Sequence, residues 1–127
     1  MKFIVLDIGG AVPSNLKEDF DLVFSFCTLH WLRQPEVGYK NIYDLLKPDG
    51  ESFITIMAKS PMYDLFRALS RQIKWAPWTT DIERFVSPYH DCEDPDIIIE
   101  EGLKNIGFTN IETKCKQKVH VYESTKV

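Results

Sequence analysis

The sequence predicts an α/β fold built on a mainly parallel sheet, and three observations carry that prediction. The run Asp21 to Phe26 has strand length and is apolar on both faces, with Leu22, Phe24 and Phe26 on one and Val23 on the other, as a strand covered by helices on both sides must be. A helical pattern over Gln34 to Lys47 separates it from a second strand at Phe53 to Met57, and strand, helix, strand in that order is a βαβ unit. A further helix from Pro95 to Ile106 leads into another extended segment.

Taken in order, Lys2 to Leu6 is a short apolar run, and Ala11 to Asp19, with Pro13, Ser14 and Asn15, reads as a connecting loop. Within Gln34 to Lys47, Val37, Ile42, Leu45 and Leu46 approximate one apolar face, and Lys47-Pro48-Asp49-Gly50 is a helix stop followed by a turn. Ser60-Pro61 places a cap and a first-turn proline ahead of the stripe Met62, Leu65, Phe66, Leu69 and Ile73. After the aromatic segment KWAPWTT, Thr80-x-x-Glu83 has capping-box spacing and opens a short helix bearing Ile82, Phe85 and Val86. Asp94 and Pro95 start the last helix, Ile99, Leu103 and Ile106 share its face, and Gly107 ends it. Phe108 to Thr113 and Val119 to Tyr122 read as strands whose short connection suits an antiparallel hairpin.

With 127 residues the chain forms one domain or part of one. Its 15 basic and 19 acidic side chains are dispersed and give a formal net charge of −4, so no basic stripe exists to neutralise a phosphate backbone, which weighs against nucleic acid as a partner. The apolar run near the N-terminus is interrupted by Asp7, too soon for a signal-peptide core or a membrane span, and a cytosolic location is expected. Cys27, Cys92 and Cys115 show no paired spacing, so reduced thiols are the plain reading. His90 and Cys92 alone supply too few ligands for a metal site.

Several segments carry a resemblance: VLDI at Val5 to Ile8, FDLVFSFCTLHWLRQP at Phe20 to Pro35, NIYDLLKPDG at Asn41 to Gly50, KWAPW, RFVSPYH, EEGLKNIGF and the terminal VHVYES. Together they resemble the class I S-adenosylmethionine-dependent methyltransferases, a Rossmann-like family, and within it the juvenile hormone acid methyltransferase branch. KWAPW and RFVSPYH point to the branch, whereas VLDI and KPDG are common to many class I enzymes. The resemblance implies a sheet ending in an antiparallel hairpin, a substrate-covering insertion over residues 60–90, S-adenosylmethionine as cofactor, and a small hydrophobic carboxylic acid as substrate.

It also assigns residues. Asp7 and Ile8 correspond to the acidic residue and following N–H that meet the adenine, although on the residues alone Asp7 only starts a turn. Ser25, Phe26 and Cys27, at the carboxyl end of their strand, correspond to the lining near the sulfonium. Trp31 corresponds to the tryptophan that holds the substrate carboxylate, the bland alternative being core filling. His30 beside it reads as structural. Trp75, Trp78 and Tyr89, with the stripe from Met62 to Phe66, are candidates on their apolar character for a cover over the acid's chain, though a helical apolar stripe is more often ordinary core.

The family's glycine-rich D-x-G-x-G loop has no counterpart here, since Gly9 and Gly10 are adjacent and no G-x-G occurs among the six glycines. The expectation is therefore the C-terminal half of a catalytic domain, beginning inside the third strand, lacking the first two and the C-terminal cap. Such a chain would be nearly inactive alone, with the strand at Asp21 to Phe26 left as an exposed edge open to self-association or a partner. A truncated, non-catalytic relative that binds a lipid or a protein is the competing expectation.

Overall fold

The computed structural model describes residues 3–121 and 123. Its sheet has two parallel strands, β1 (Phe20–Phe26) and β2 (Leu46–Thr55), joined through helix α1 (Pro35–Leu45). Helices α2 (Pro61–Ser70) and α3 (Pro95–Ile106) follow, with short 3-10 turns at Ser14–Leu16, Leu29–Trp31, Ala76–Trp78 and Ile82–Phe85. The expected βαβ unit is thus present. Among the described residues no helix is long and apolar enough to cross a membrane.

The strand β2 begins earlier than its apolar pattern suggests. Phe20 pairs with Leu46, but Leu22 pairs with Glu51, so Lys47 to Gly50 bulge out of the ladder, with Asp49 at φ 64°. The turn expected at KPDG exists, but inside a strand: buried Leu46 holds the ladder on one side of it and Glu51 resumes on the other.

The core lies on one side of this sheet. Leu29, Tyr39, Ile42 and Leu46 form its buried centre, with Val23 and Ile54 from the strands and Ile99, Leu103 and Ile106 from α3 packed against it. The shared face predicted for α3 is the one that packs, partly buried, against this centre. In α1 the buried positions are Pro35, Gly38, Tyr39, Asn41, Ile42 and Leu45, so Val37 falls off the stripe and two residues the apolar pattern overlooked, Tyr39 and Asn41, join it. Gly38 is required by a close approach, because a Cβ there would meet Leu29 Cδ2 and Leu32 Cδ1, each at 2.8 Å. At the end of α3, Gly107 sits at φ 124° against the Tyr43 ring, the backbone geometry that ends a helix with glycine.

The other sheet face is open. Leu22, Phe24, Phe26 and Phe53 are 54%, 61%, 60% and 57% exposed, and the Phe24, Phe26 and Phe53 rings follow one another at 6.1 Å. The expectation that helices cover β1 on both sides holds for one side among the described residues.

Four local expectations are corrected. Phe3 to Leu6 form no strand and Phe3 and Val5 are exposed, because no neighbouring strand offers them a ladder; Lys2 lies outside the described residues. Phe108 to Thr113 and Val119 to Val121 form no hairpin, Tyr122 lying outside the described residues. An isolated hairpin is marginal, and exposed Val119 and Val121 bury no face that would stabilise one. The stripe expected on α2 is only partly buried: Phe66 and Leu69 are half-buried, Met62, Leu65 and Ile73 are exposed, and the enclosed residue is Tyr63, which lies off the stripe. Ser60 does cap that helix, accepting the Met62 N–H at 3.3 Å, but Thr80-x-x-Glu83 forms no capping box, since Glu83 is engaged by Arg67.

Candidate functional site

Parallel strands end together, and the carboxyl ends of β1 and β2 bring the candidate residues to one edge. There the Cys27 N–H donates to the Thr55 carbonyl at 2.8 Å and lies 3.3 Å from Thr55 Oγ1, while the Thr28 hydroxyl donates to the Phe26 carbonyl at 3.0 Å. Cys27 itself is at φ 49°, a left-handed conformation that a non-glycine residue adopts at a cost and that turns the chain sharply out of the strand. The turn that follows, Leu29–Trp31, buries Leu29 and His30 and leaves Trp31 46% exposed.

His30 is a structural residue by its contacts. Its Nδ1 accepts the Met57 N–H at 3.2 Å, tying the turn to the chain just beyond β2, so the neutral ring carries its proton on Nε2. Its ring lies 4.8 Å from that of Trp31. Burial lowers the His30 pKa from the usual 6.5, so the folded state favours the neutral imidazole. The unfolded chain therefore binds more protons below pH 6.5, and this group's contribution to stability, fully present above 6.5, declines as pH falls toward the folded pKa. We expect urea midpoints at pH 6.5 and 5.5 to differ more for the wild type than for His30→Asn, whose amide oxygen can accept the Met57 N–H at either pH; equal differences would refute this.

The loop Asp7 to Gly10 packs beside this turn, since a Cβ on Gly9 would come within 2.8 Å of Leu32 Cδ2. Asp7 closes it: Oδ1 accepts the Gly9 N–H at 2.9 Å and the carbonyl accepts the Gly10 N–H at 3.0 Å. The turn-forming role read from the sequence is therefore real, and it uses one carboxylate oxygen. Asp7 Oδ2 and the Ile8 N–H make no hydrogen bond among the described residues, leaving an acceptor next to a donor. An acceptor and a donor on consecutive residues are the two group types that the amino group and adjacent ring nitrogen of an adenine call for.

Other assignments separate. Strand alternation puts half-buried Ser25 on the packed face and Phe26 on the open one, so their side chains do not line a common wall. Cys27 is exposed at the strand end. Trp75 and Trp78 flank and enter the Ala76–Trp78 turn, Trp78 being 83% exposed, while Tyr89 is only 3% exposed and its hydroxyl lies 3.0 Å from that of Tyr39. The structure thus places Tyr89 in the core rather than beside the tryptophans.

Residues 60–91 are held by charges that sequence reading did not single out. Arg67 on α2 makes bidentate contacts with both Glu83 and Asp91, at 2.7 to 2.9 Å, and holds both carboxyls below their ordinary pKa range. His90 Nε2 lies 3.0 Å from Asp64, and Arg33 pairs with Asp81 at 2.9 Å. Arg33, Arg67, Asp81, Glu83 and Asp91 line a charged hollow with Leu32, Val86 and Pro88, and a second hollow lies between Val37 of α1 and Ile106 of α3; neither is lined by Trp31, Trp75 or Trp78.

Comparison with known proteins bears on this arrangement. Residues 2–54, which span the Asp7 loop, β1, the Trp31 turn, α1 and most of β2, match a family described as a methyltransferase domain. The chain is 42% identical over 125 residues to a juvenile hormone acid O-methyltransferase of Bombyx mori and 35% identical over 127 residues to that of Drosophila melanogaster. The chain is homologous to class I methyltransferases. Both alignments cover 98% of it, but only 45% and 43% of the relatives, so the chain spans less than half their length. The two-stranded parallel sheet is consistent with part of such a fold, and the matched residues 2–54 include Asp7, Cys27 and Trp31.

Proposed function

We propose that this segment serves a carboxyl O-methyltransferase acting on a hydrophobic acid of the juvenile hormone acid or farnesoic type, in the cytosol. The observation that carries the reading is Trp31: half exposed at the carboxyl edge of the parallel strands, in a chain similar throughout to enzymes of that name. S-adenosylmethionine supplies an electrophilic methyl group when bound. Asp7 and Ile8 would hold its adenine, and Cys27 and Phe26 would stand near its sulfonium end.

A carboxylate is already ionised at neutral pH and needs no general base, so the chain's task is to position it and strip its water. The Trp31 indole N–H donates to one carboxylate oxygen without neutralising it, leaving the other to be methylated. Cys27 is not assigned a nucleophilic role, since direct transfer requires no covalent enzyme intermediate. Residues 60–90, with Trp75 and Trp78, would cover the acid's apolar chain.

Among these 127 residues no G-x-G loop is available to receive the methionine portion of the cofactor, and we expect the chain alone to turn over far more slowly than the Bombyx mori relative. The open face of Leu22, Phe24, Phe26 and Phe53, beside an unpaired edge of β1 among the described residues, favours a second reading in which the chain self-associates or docks on a partner. Binding of S-adenosylhomocysteine and farnesoic acid, measured by calorimetry alongside the oligomeric state, separates the two. Affinity for both ligands supports the enzyme reading; oligomers with no affinity for either support the other.

A further inference from the structure

Asn41 stands on the buried stripe of α1, between Gly38 and Leu45, where an unpartnered carboxamide would be costly. Both hydrogens of its Nδ2 are used outside the helix, one on the Ile8 carbonyl at 2.8 Å and one on the Gly10 carbonyl at 2.7 Å. These two carbonyls flank Gly9, whose own N–H is held by Asp7 Oδ1. The loop Asp7 to Gly10 is thus pinned from within by Asp7 and from the body of the fold by Asn41. No strand or helix otherwise orders it: residues 3–13 precede the first element.

Such a loop owes its shape to few contacts. Two adjacent glycines have many accessible backbone conformations, and fixing them costs conformational entropy that burial of Ile8 offsets only for its own side chain. A ligand that needs Asp7 Oδ2 and the Ile8 N–H side by side needs the intervening peptide in one orientation. That peptide is held by its own carbonyl on the Gly10 N–H, and Asn41 fixes the two peptides next to this bond, through the Ile8 carbonyl on one side of Gly9 and the Gly10 carbonyl on the other.

We propose that Asn41 is a positioning residue for adenine recognition, holding the Ile8 and Gly10 carbonyls so that the Asp7 carboxylate and the Ile8 N–H face one purine edge together. The inference rests on the cofactor reading of Asp7 and Ile8 given above. It assigns a role to a helix residue that does not touch the ligand, and it predicts that Asn41 governs discrimination among purines rather than general affinity.

The test compares S-adenosylhomocysteine with S-inosylhomocysteine, in which an oxo group replaces the amino group, on the wild-type chain and on Asn41→Leu and Asn41→Asp. Leucine keeps an apolar filling and removes the donors; aspartate keeps the shape and removes them. Amide exchange at Gly10, with Phe24 and Ile54 in the sheet as internal controls, reports the loop without any ligand. The wild type should favour the adenine compound by about tenfold or more, in keeping with loss of a hydrogen bond to a charged group. Both variants should bring that ratio close to one and accelerate Gly10 exchange, with the sheet amides unchanged. A wild type that binds neither compound, or both alike, removes the cofactor reading and this inference with it. A discriminating wild type whose variants discriminate equally well, or keep slow Gly10 exchange, overturns the role of Asn41 alone.

Discussion

Trp31→Phe is expected to weaken binding of a long-chain carboxylic acid by roughly ten- to a hundredfold, while leaving the affinity for the methyl ester of the same acid almost unchanged. Phenylalanine keeps an aromatic ring next to His30 and deletes the indole N–H. Hydrogen bonds to charged groups contribute about 1.5–3 kcal/mol, which sets that range. The indole N–H makes no hydrogen bond among the described residues, so its removal leaves no internal acceptor unsatisfied. Folding stability should therefore change by only about half a kcal/mol or less, the usual result for a surface substitution. Calorimetric titration of the acid and of the ester on both proteins decides the matter. Equal losses for acid and ester would mean that Trp31 only packs, against the chain of the ligand or against the protein.

What made Trp31 legible was its place in the sequence rather than its chemistry. A strand-length apolar run ending at Phe26 delivers the next residues to the carboxyl edge of a parallel sheet, and the structure keeps that order. Ser60-Pro61 and Ile106-Gly107 were equally legible, because a cap and a stop act over a few neighbouring residues. Features that depend on a distant partner were not. Leu46 reads as the tail of a helix until Phe20 pairs with it, and Glu83 reads as a cap until Arg67, sixteen residues earlier, engages it. Val119 and Val121 have strand propensity but no ladder to join. Asn41 escaped because a polar residue in a helix reads as solvent-facing; its position between Gly38, Ile42 and Leu45 was the available signal that it is enclosed and must donate to something.

Substituting Tyr89→Phe or Tyr39→Phe should each destabilise the fold by about 1–3 kcal/mol, while the double variant should cost clearly less than the sum. The two hydroxyls share one hydrogen bond at 3.0 Å, with 1% of Tyr39 and 3% of Tyr89 exposed, so removing either leaves the other enclosed without that partner. Removing both leaves apolar rings of nearly the same shape. Burial raises both phenol pKa values above the ordinary 10, so the pair stays protonated at neutral pH and its loss is a matter of desolvation, not charge. Three consecutive side chains fasten this part of the chain: Tyr89 to Tyr39 on α1, His90 to Asp64 on α2, and Asp91 to Arg67 on α2. Of these, the tyrosine pair is the one that reaches outside residues 60–91, and it is enclosed in the core, where solvent screens it least, so it ties that segment to the sheet domain. Urea unfolding of the four proteins measures the coupling directly, and additive losses would show that the two hydroxyls do not depend on each other. With a coupling present, proteolysis at the exposed Lys74 should quicken in either single variant, because freeing Tyr89 loosens the anchored end of the segment that carries Trp75 and Trp78.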